Sequence, residues 1–298
     1  MNSNTRVAYH SGSWYEDDPK LLAKEIGDYL SNSQRLEQYK SLKTIIVPHA
    51  GYRFCGPTAA KSFININPTN FDRVVVLGPS HHECFQACGL TPFDSFETPF
   101  GDVKVDTDTV NKLLGKSKLF FTLSESTDVK EHSIEMEMPF LKYIFDKKDF
   151  SLIPIVVGQH DYKTNAEIGR ALYNLYEDPK TLFVISSDFC HWGQRFGFTY
   201  YNKNYDQIWE STKDLDQQAL DIISEMNSAK LAQYFQKTRN TICGRNPITV
   251  VLSIIEEYKK NHGDKKISFD TVGYSQSNKA KSMYDSSVSY AAGVNFII

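Results

Sequence analysis

Four short apolar segments rich in β-branched residues limit the fold of this chain more than any other feature. They lie at residues 44–47, 73–77, 151–158 and 181–185, and each has the length and composition of a buried strand. Amphipathic helical patterns separate them over intervals that are too long for β-hairpins. We therefore predict an α/β fold in which one central mixed sheet carries helices on both faces. The four strands should end at Val47, Leu77, Val157 and Ser187.

The length and charge of the chain narrow the classes of protein to which it can belong. Its 298 residues show no repeat, linker or low-complexity segment, so we predict a single domain over residues 1–298. A net charge of −3 gives no indication of nucleic acid as a partner, and no run approaches the ~20 apolar residues of a membrane span. The sequence patterns typical of serine hydrolases, P-loop proteins and dinucleotide-binding domains are absent from it.

The cysteines and the N-terminus predict a reducing compartment. The 5 cysteines are odd in number and dispersed, and the first residues contain no signal-peptide core. We therefore expect free thiols and a cytoplasmic protein, with the nucleus as a second placement.

Histidine or acid follows three of the predicted strands. His49 comes shortly after the first strand and His81 shortly after the second, while Asp188 and His191 follow the fourth. In open α/β sheets, ligands bind outside the carboxyl ends of the strands, so these side chains are candidates for one site. The alternative is that each histidine only hydrogen-bonds loop backbone and that residues 186–194 form a capped loop.

Cys243 adds a sulfur ligand to this candidate set. It precedes a predicted helix that starts at Asn246 and Pro247, and the positive end of the helix dipole should favour its thiolate. Two imidazoles and one thiolate suit zinc, copper or ferrous iron. Asp188 and His191 could then orient the ligands or transfer protons. The alternative for Cys243 is a buried and inert thiol.

The remaining histidines carry weaker predictions. His132 and Glu135 lie one helical turn apart, a spacing that can bind metal, but we expect a structural or supporting role for them. His82 is predicted to lie at the surface, and His10 in a loop or at the surface.

Six ordered blocks of this sequence resemble the Memo family, named as mediators of ErbB2-driven cell motility. The blocks are VPHAGY at 47–52, LGPSHH at 77–82, EHSIEM at 131–136, SSDFCHWGQR at 186–195, ICGR at 242–245 and DSSVSYAAG at 285–293. The resemblance covers nearly the whole chain. It implies a single α/β domain similar to class III extradiol dioxygenases, which hold non-haem iron(II) with two histidines and a glutamate.

The resemblance also implies roles for individual residues. His49 and His81 match the two iron ligands, and Cys243 stands where those dioxygenases have the glutamate. His191 matches their acid/base histidine, with Asp188 beside it. A thiolate is softer and more easily oxidised than a carboxylate, which favours redox chemistry over ring cleavage. Memo proteins are linked to iron or copper binding, redox control and cytoskeletal signalling in cell motility, and animal members to phosphotyrosine segments of a receptor.

Three functions therefore follow from the sequence. The first is a cytosolic protein that binds iron or copper through His49, His81 and Cys243 and acts in redox control and motility signalling. The second is a non-catalytic module that binds a phosphotyrosine peptide or signalling protein in the former active site. The third is an active dioxygenase with an aromatic substrate.

Overall fold

The computed structural model describes residues 4–36, 41–116, 118–263 and 266–297. Its strands in these ranges are β1 Thr5–Arg6, β2 Leu42–Val47, β3 Arg73–Pro79, β4 Cys88–Leu90, β5 Ser95–Phe96, β6 Val103–Lys104, β7 Phe120–Thr122, β8 Ser151–Val157, β9 Thr181–Ser186, β10 Asp188–Trp192, β11 Ile267–Gln276 and β12 Ser287–Ile297. Its α-helices are α1 Pro19–Ser31, α2 Tyr52–Phe63, α3 Thr107–Lys116, α4 Glu125–Lys130, α5 His132–Glu135, α6 Met138–Phe145, α7 Tyr162–Glu177, α8 Ile208–Ser224, α9 Ser228–Thr238 and α10 Arg245–His262.

The four predicted strands are neighbours in the large sheet, whose order is β10-β12-β2-β9-β3-β8-β4-β7, with β11 paired to β12. β2, β9, β3 and β8 run parallel to one another at its centre. β12 is antiparallel to β2, and β10 is antiparallel to β12. The prediction of a single α/β domain with a mixed sheet is confirmed.

The core lies on both sides of this sheet. The central strands are buried along nearly their whole length, which is why they read as continuous apolar runs rather than as alternating ones. α2 packs against β2 and β12, whereas α7 and α10 pack together against β9 and β3. The predicted helices on both faces are therefore present.

Several local predictions differ from the structure. β3 ends at Pro79 instead of Leu77, and β9 ends at Ser186 instead of Ser187. Residues 188–192 form strand β10, paired with β12, instead of a capped loop. The helix after Cys243 starts two residues earlier than predicted, with Gly244 rather than Asn246 as its N-cap. Within the described ranges, no helix is both long enough and apolar enough to cross a membrane. The limits of the domain at residues 1 and 298 stay a prediction.

Candidate metal centre

Three histidines meet at the carboxyl ends of the central strands. His49 lies two residues after β2 and His81 two residues after β3, so the parallel strands bring both to one edge of the sheet. His132 is the first residue of α5, a short helix that packs on β3 and β8. Ring nitrogens of His49, His81 and His132 all lie within 4.8 Å of one another, a spacing that could hold a metal ion.

Cys243 brings its sulfur to the same place from the other end of the chain. Its Sγ lies 3.2 Å from His49 Nε2 and 3.5 Å from the Asp188 carbonyl oxygen. The close approach depends on Gly244, because a Cβ at that position would lie 2.3 Å from the Ser187 Cβ. The chain can therefore pass Ser187 and present the thiol to His49 only with glycine at position 244.

Hydrogen bonds at Nδ1 orient two of the histidines. His81 Nδ1 lies 2.8 Å from the Glu131 carboxylate, and His191 Nδ1 lies 3.2 Å from the Thr241 carbonyl oxygen. A carbonyl and an ionised carboxylate can only accept, so both Nδ1 atoms carry a proton. Burial raises the pKa of Glu131, but the hydrogen bond to His81, the charges of His81 and His132 and the Ser133 backbone N–H together lower it to about 2. The Nε2 atoms remain for a ligand, the usual arrangement of metal-binding histidine.

The ring planes separate His132 from His81. His81 and His132 stack with centroids 4.2 Å apart and planes only 20° apart. A metal lies about 2 Å from a ligating nitrogen and in the plane of its ring, and two nearly parallel stacked planes do not meet so close to both rings. His49 is nearly perpendicular to both rings, at 83° to His81 and 79° to His132. In this arrangement His49 can share an ion with either ring but not with both at once, and of the two it is His81 that hydrogen-bonds Cys243.

Burial and neighbouring charge set the pKa values of the histidines. Burial, then the nearby imidazole of His81, lowers the pKa of His49 well below its usual range and that of His132 to about 3. For His81, burial lowers the pKa, but hydrogen bonds to Cys243 and Glu131 raise it to about 10. A protonated imidazole cannot ligate, so an ion bound here would displace that proton.

The expected low pKa of Cys243 is wrong. Burial raises the pKa of this thiol above its ordinary value, although its hydrogen bond with His81 acts in the opposite direction. The free-energy cost of removing the thiolate from water is larger here than the electrostatic stabilisation from the N-terminus of α10. A metal ion, rather than the helix, would have to stabilise the thiolate.

Asp188 and His191 lie beside these ligands. His49, His81, Asp188 and His191 line one cavity of about 940 Å³, and His132 lines it as well. The Asp188 Oδ1 accepts a hydrogen bond of 2.9 Å from the backbone N–H of His49. Burial raises the pKa of Asp188 to about 7. This carboxyl group therefore fixes the backbone of a ligand and can gain or lose a proton near neutral pH.

The mouth of the cavity carries two arginines on aromatic rings. Arg53 lies over Phe54 and Arg195 over Phe196, with 4.5 Å and 4.4 Å between guanidinium carbon and ring centroid. All four residues line the cavity. Neither arginine forms an ion pair with a carboxylate in the part of the chain that the structure describes. Both guanidinium groups are exposed and can accept an anionic ligand.

Sequence reasoning missed several supporting residues. His10 lies in a turn, the first of the two positions predicted for it, but it is buried, and its Nδ1 lies 3.0 Å from Glu135. Glu135 also pairs with the fully buried Arg6 at 2.7 Å, which confirms the structural role expected for this acid. Glu131 and Glu137 are equally buried. The sequence pattern that could have indicated these buried acids is the mixture of acidic and apolar residues over 131–138. This mixture lacks the period of a helix with one solvent-facing side.

Comparison with known proteins gives, over nearly the whole chain, the same family that the six sequence blocks resemble. The model of the Memo family, described as Memo-like protein, matches residues 6–294. Protein MEMO1 of Xenopus laevis is 40% identical over 290 residues, which cover 97% of this chain and 96% of that protein. The Homo sapiens Protein MEMO1 is 39% identical with the same coverage. The Protein memo-1 homolog of Caenorhabditis elegans is 38% identical over 300 residues, covering 100% of this chain and 84% of its own.

The fold is also found in a solved structure. The crystal structure of the uncharacterized protein JW3007 from Escherichia coli K12 superposes with a TM-score of 0.52 at 12% identity. The superposition covers 86% of this chain and 99% of that chain. At this identity the likeness concerns the fold alone.

Proposed function

This chain belongs to the Memo family, and on that premise we propose that it binds iron or copper through His49, His81 and Cys243. The single observation that carries the proposal is the meeting of a thiol and two perpendicular imidazoles at one end of the sheet. Cys243 Sγ lies 3.2 Å from His49 Nε2, and the rings of His49 and His81 are 83° apart. Soft sulfur and borderline nitrogen donors select copper, zinc and iron over magnesium or calcium.

Asp188 and His191 complete the proposed centre without ligating the ion. Iron or copper would supply one-electron redox chemistry at this place. Asp188 holds the His49 backbone in position, and His191 presents an unprotonated Nε2 to the cavity, where it can accept a proton from a bound molecule. We propose these roles for both residues, with redox control as the activity of the site.

Metal content tests this proposal. Protein purified without chelator should contain iron or copper, and anaerobic titration with iron(II) or copper(I) should show one site per chain. Cys243→Ser should lose most of its affinity, because a bond to the ion is removed, while Asp188→Asn should lose about 10–100-fold. Cys88→Ser is the matched control, since this cysteine is buried within the sheet, in β4 between Phe120 of β7 and Val157 of β8. Equal affinities for the parent protein and Cys243→Ser would exclude the cysteine from the site.

The cellular part of the proposal is redox control and cytoskeletal signalling in motility, in the cytoplasm and also in the nucleus. Its support is the family membership, together with five cysteines that are all free thiols, as expected in a reducing compartment. In cells that lack this protein, the parent chain and Cys88→Ser should restore migration equally, and Cys243→Ser should fail. Restored migration with Cys243→Ser would separate motility from metal binding.

A second candidate function is favoured by the two arginines at the cavity mouth. Arg53 and Arg195 are exposed and carry no carboxylate partner among the described residues, so the cavity can receive an anionic group such as phosphotyrosine. A phosphotyrosine peptide should bind the parent protein more tightly than its unphosphorylated form. Arg195→Gln should remove that difference, whereas Arg170→Gln, an exposed arginine on α7, should keep it. Equal binding of both peptides would refute this function.

A further inference from the structure

A serine and a glutamate lie behind His49, on the Nδ1 side of its ring. Ser186 and Glu137 are 0% and 1% exposed. The Ser186 hydroxyl contacts the Ser133 carbonyl oxygen, Glu137 Oε1 at 2.9 Å and His49 Nδ1 at 2.6 Å. A hydroxyl has one hydrogen to donate, so the directions of these three bonds depend on one another.

The carbonyl decides the directions. A carbonyl oxygen can only accept, and Ser133 O lies closer to Ser186 Oγ than Glu137 Oε1 does. Ser186 therefore donates its hydrogen to Ser133. His49 Nδ1 and Glu137 Oε1 must then donate to the Ser186 oxygen, because otherwise lone pairs would face each other at hydrogen-bonding distance. His49 has its proton on Nδ1, and Glu137 is a carboxylic acid.

We infer that Ser186 is a positioning residue that fixes the Nδ1–H tautomer of His49, and that neutral Glu137 supports it by donating a hydrogen bond. The fixed tautomer leaves the lone pair of Nε2 directed at Cys243, 3.2 Å away. This inference rests on the proposed metal-binding function, for which that lone pair is the ligand.

The surroundings of Glu137 agree with a neutral acid. Burial raises the pKa of this carboxyl group well above its usual range; the hydrogen bond with Ser186 acts in the opposite direction, and the nearby Asp188 raises the pKa further. Glu131, behind His81, is instead ionised and accepts hydrogen bonds from the His81 and Ser133 backbones. The site thus places an anion behind one histidine and an uncharged donor behind the other, which limits the negative charge around a bound ion.

Spectroscopy of the metal-free protein tests the tautomer and the neutral acid. Nitrogen NMR of ¹⁵N-histidine-labelled protein should show His49 with its proton on Nδ1. Ser186→Ala should populate the Nε2–H form, because Nδ1–H has lost its acceptor. Ser62→Ala is the matched control: this hydroxyl is as fully buried, on α2, and bonds only backbone carbonyls. The infrared difference between the parent and Glu137→Gln should contain the carbonyl band of a protonated carboxyl group at neutral pH.

A proton on His49 Nε2 in the parent, or a carboxylate band for Glu137, would overturn the inference. Metal titration then tests the consequence. Ser186→Ala should bind iron(II) about 10–100-fold more weakly than the parent and Ser62→Ala. Glu137→Gln should stay within a few-fold of the parent, because its amide can still donate to Ser186. Equal affinities of the parent and Ser186→Ala would overturn the positioning role. A parent protein that binds no ion would refute the proposed function, while the metal-free spectra would still decide the tautomer.

Discussion

Asp216 on α8 should make the stability of this protein depend on pH in an unusual direction. The carboxyl group is fully buried and accepts hydrogen bonds from the Cys190 backbone N–H, Asn240 and Tyr274, at 3.2, 3.0 and 2.9 Å. It thereby anchors β10, the strand that carries His191. Burial outweighs these hydrogen bonds and raises the pKa of Asp216 to about 6.

The size of the effect follows from the difference between the folded and unfolded states. An aspartate in the unfolded chain has a pKa of about 3.9, so the shift is about 2 units, or roughly 3 kcal/mol. The folded state holds the proton more tightly. The contribution of Asp216 to stability is therefore complete below about pH 4 and is lost as the pH rises through about 6.

Urea denaturation at about pH 4 and about pH 7 measures this loss in the parent and in Asp216→Asn. Asparagine does not titrate, so the free energy of unfolding of the variant, relative to the parent, should rise by roughly 3 kcal/mol across this interval. Asp221→Asn, an exposed aspartate on the same helix, should follow the parent. Parallel pH profiles for the parent and Asp216→Asn would refute the reasoning.

Three further predictions concern the proposed centre. Glu131→Gln should weaken iron(II) binding about 10–100-fold in an anaerobic titration, because His81 loses the carboxylate that orients it; unchanged affinity would contradict this. His132→Phe should keep the affinity within a few-fold and His81→Phe should abolish it, since His81 is the ring that hydrogen-bonds Cys243 beside His49; equal losses would place His132 among the ligands. Gly244→Ala should lower the free energy of unfolding by about 1–3 kcal/mol and weaken metal binding. Gly115→Ala should do neither, because a Cβ at position 115 would have no atom within 4 Å. Equal losses of stability for both variants in urea denaturation would argue against the close approach at Gly244.

The sequence predicted the elements whose residues follow a strict pattern. Residues 44–47 and 73–77 are continuous apolar runs because parallel strands are buried on both faces, and His49 and His81 follow them directly. Their proximity could be predicted because parallel strands end at the same edge of the sheet. Cys243 entered the candidate set as a thiol that precedes a helix, but only the family resemblance matched it to a defined ligand position, since nothing local in the sequence joins positions 49 and 243.

The parts that sequence could not predict depend on burial and on the direction of hydrogen bonds. The pKa of Cys243 moves opposite to the expected direction because desolvation exceeds the effect of the helix terminus, and desolvation is a property of the packed molecule. The stack of His81 on His132 and the contact of Ser186 with Glu137 join segments more than forty residues apart. No local sequence pattern predicts either contact.

The position of β12 in the sheet has a consequence for the order of events during protein synthesis. β12, at Ser287–Ile297, lies between β2 and β10, and within the described chain β10 has β12 as its partner strand. A ribosome makes every residue of the proposed centre before it makes this strand. While residues 287–297 are still inside the exit tunnel, His191 has no strand to hold it and one side of β2 stays unpaired. The folded positions of Asp188 and His191 can therefore form only after β12 has left the tunnel and paired with β10.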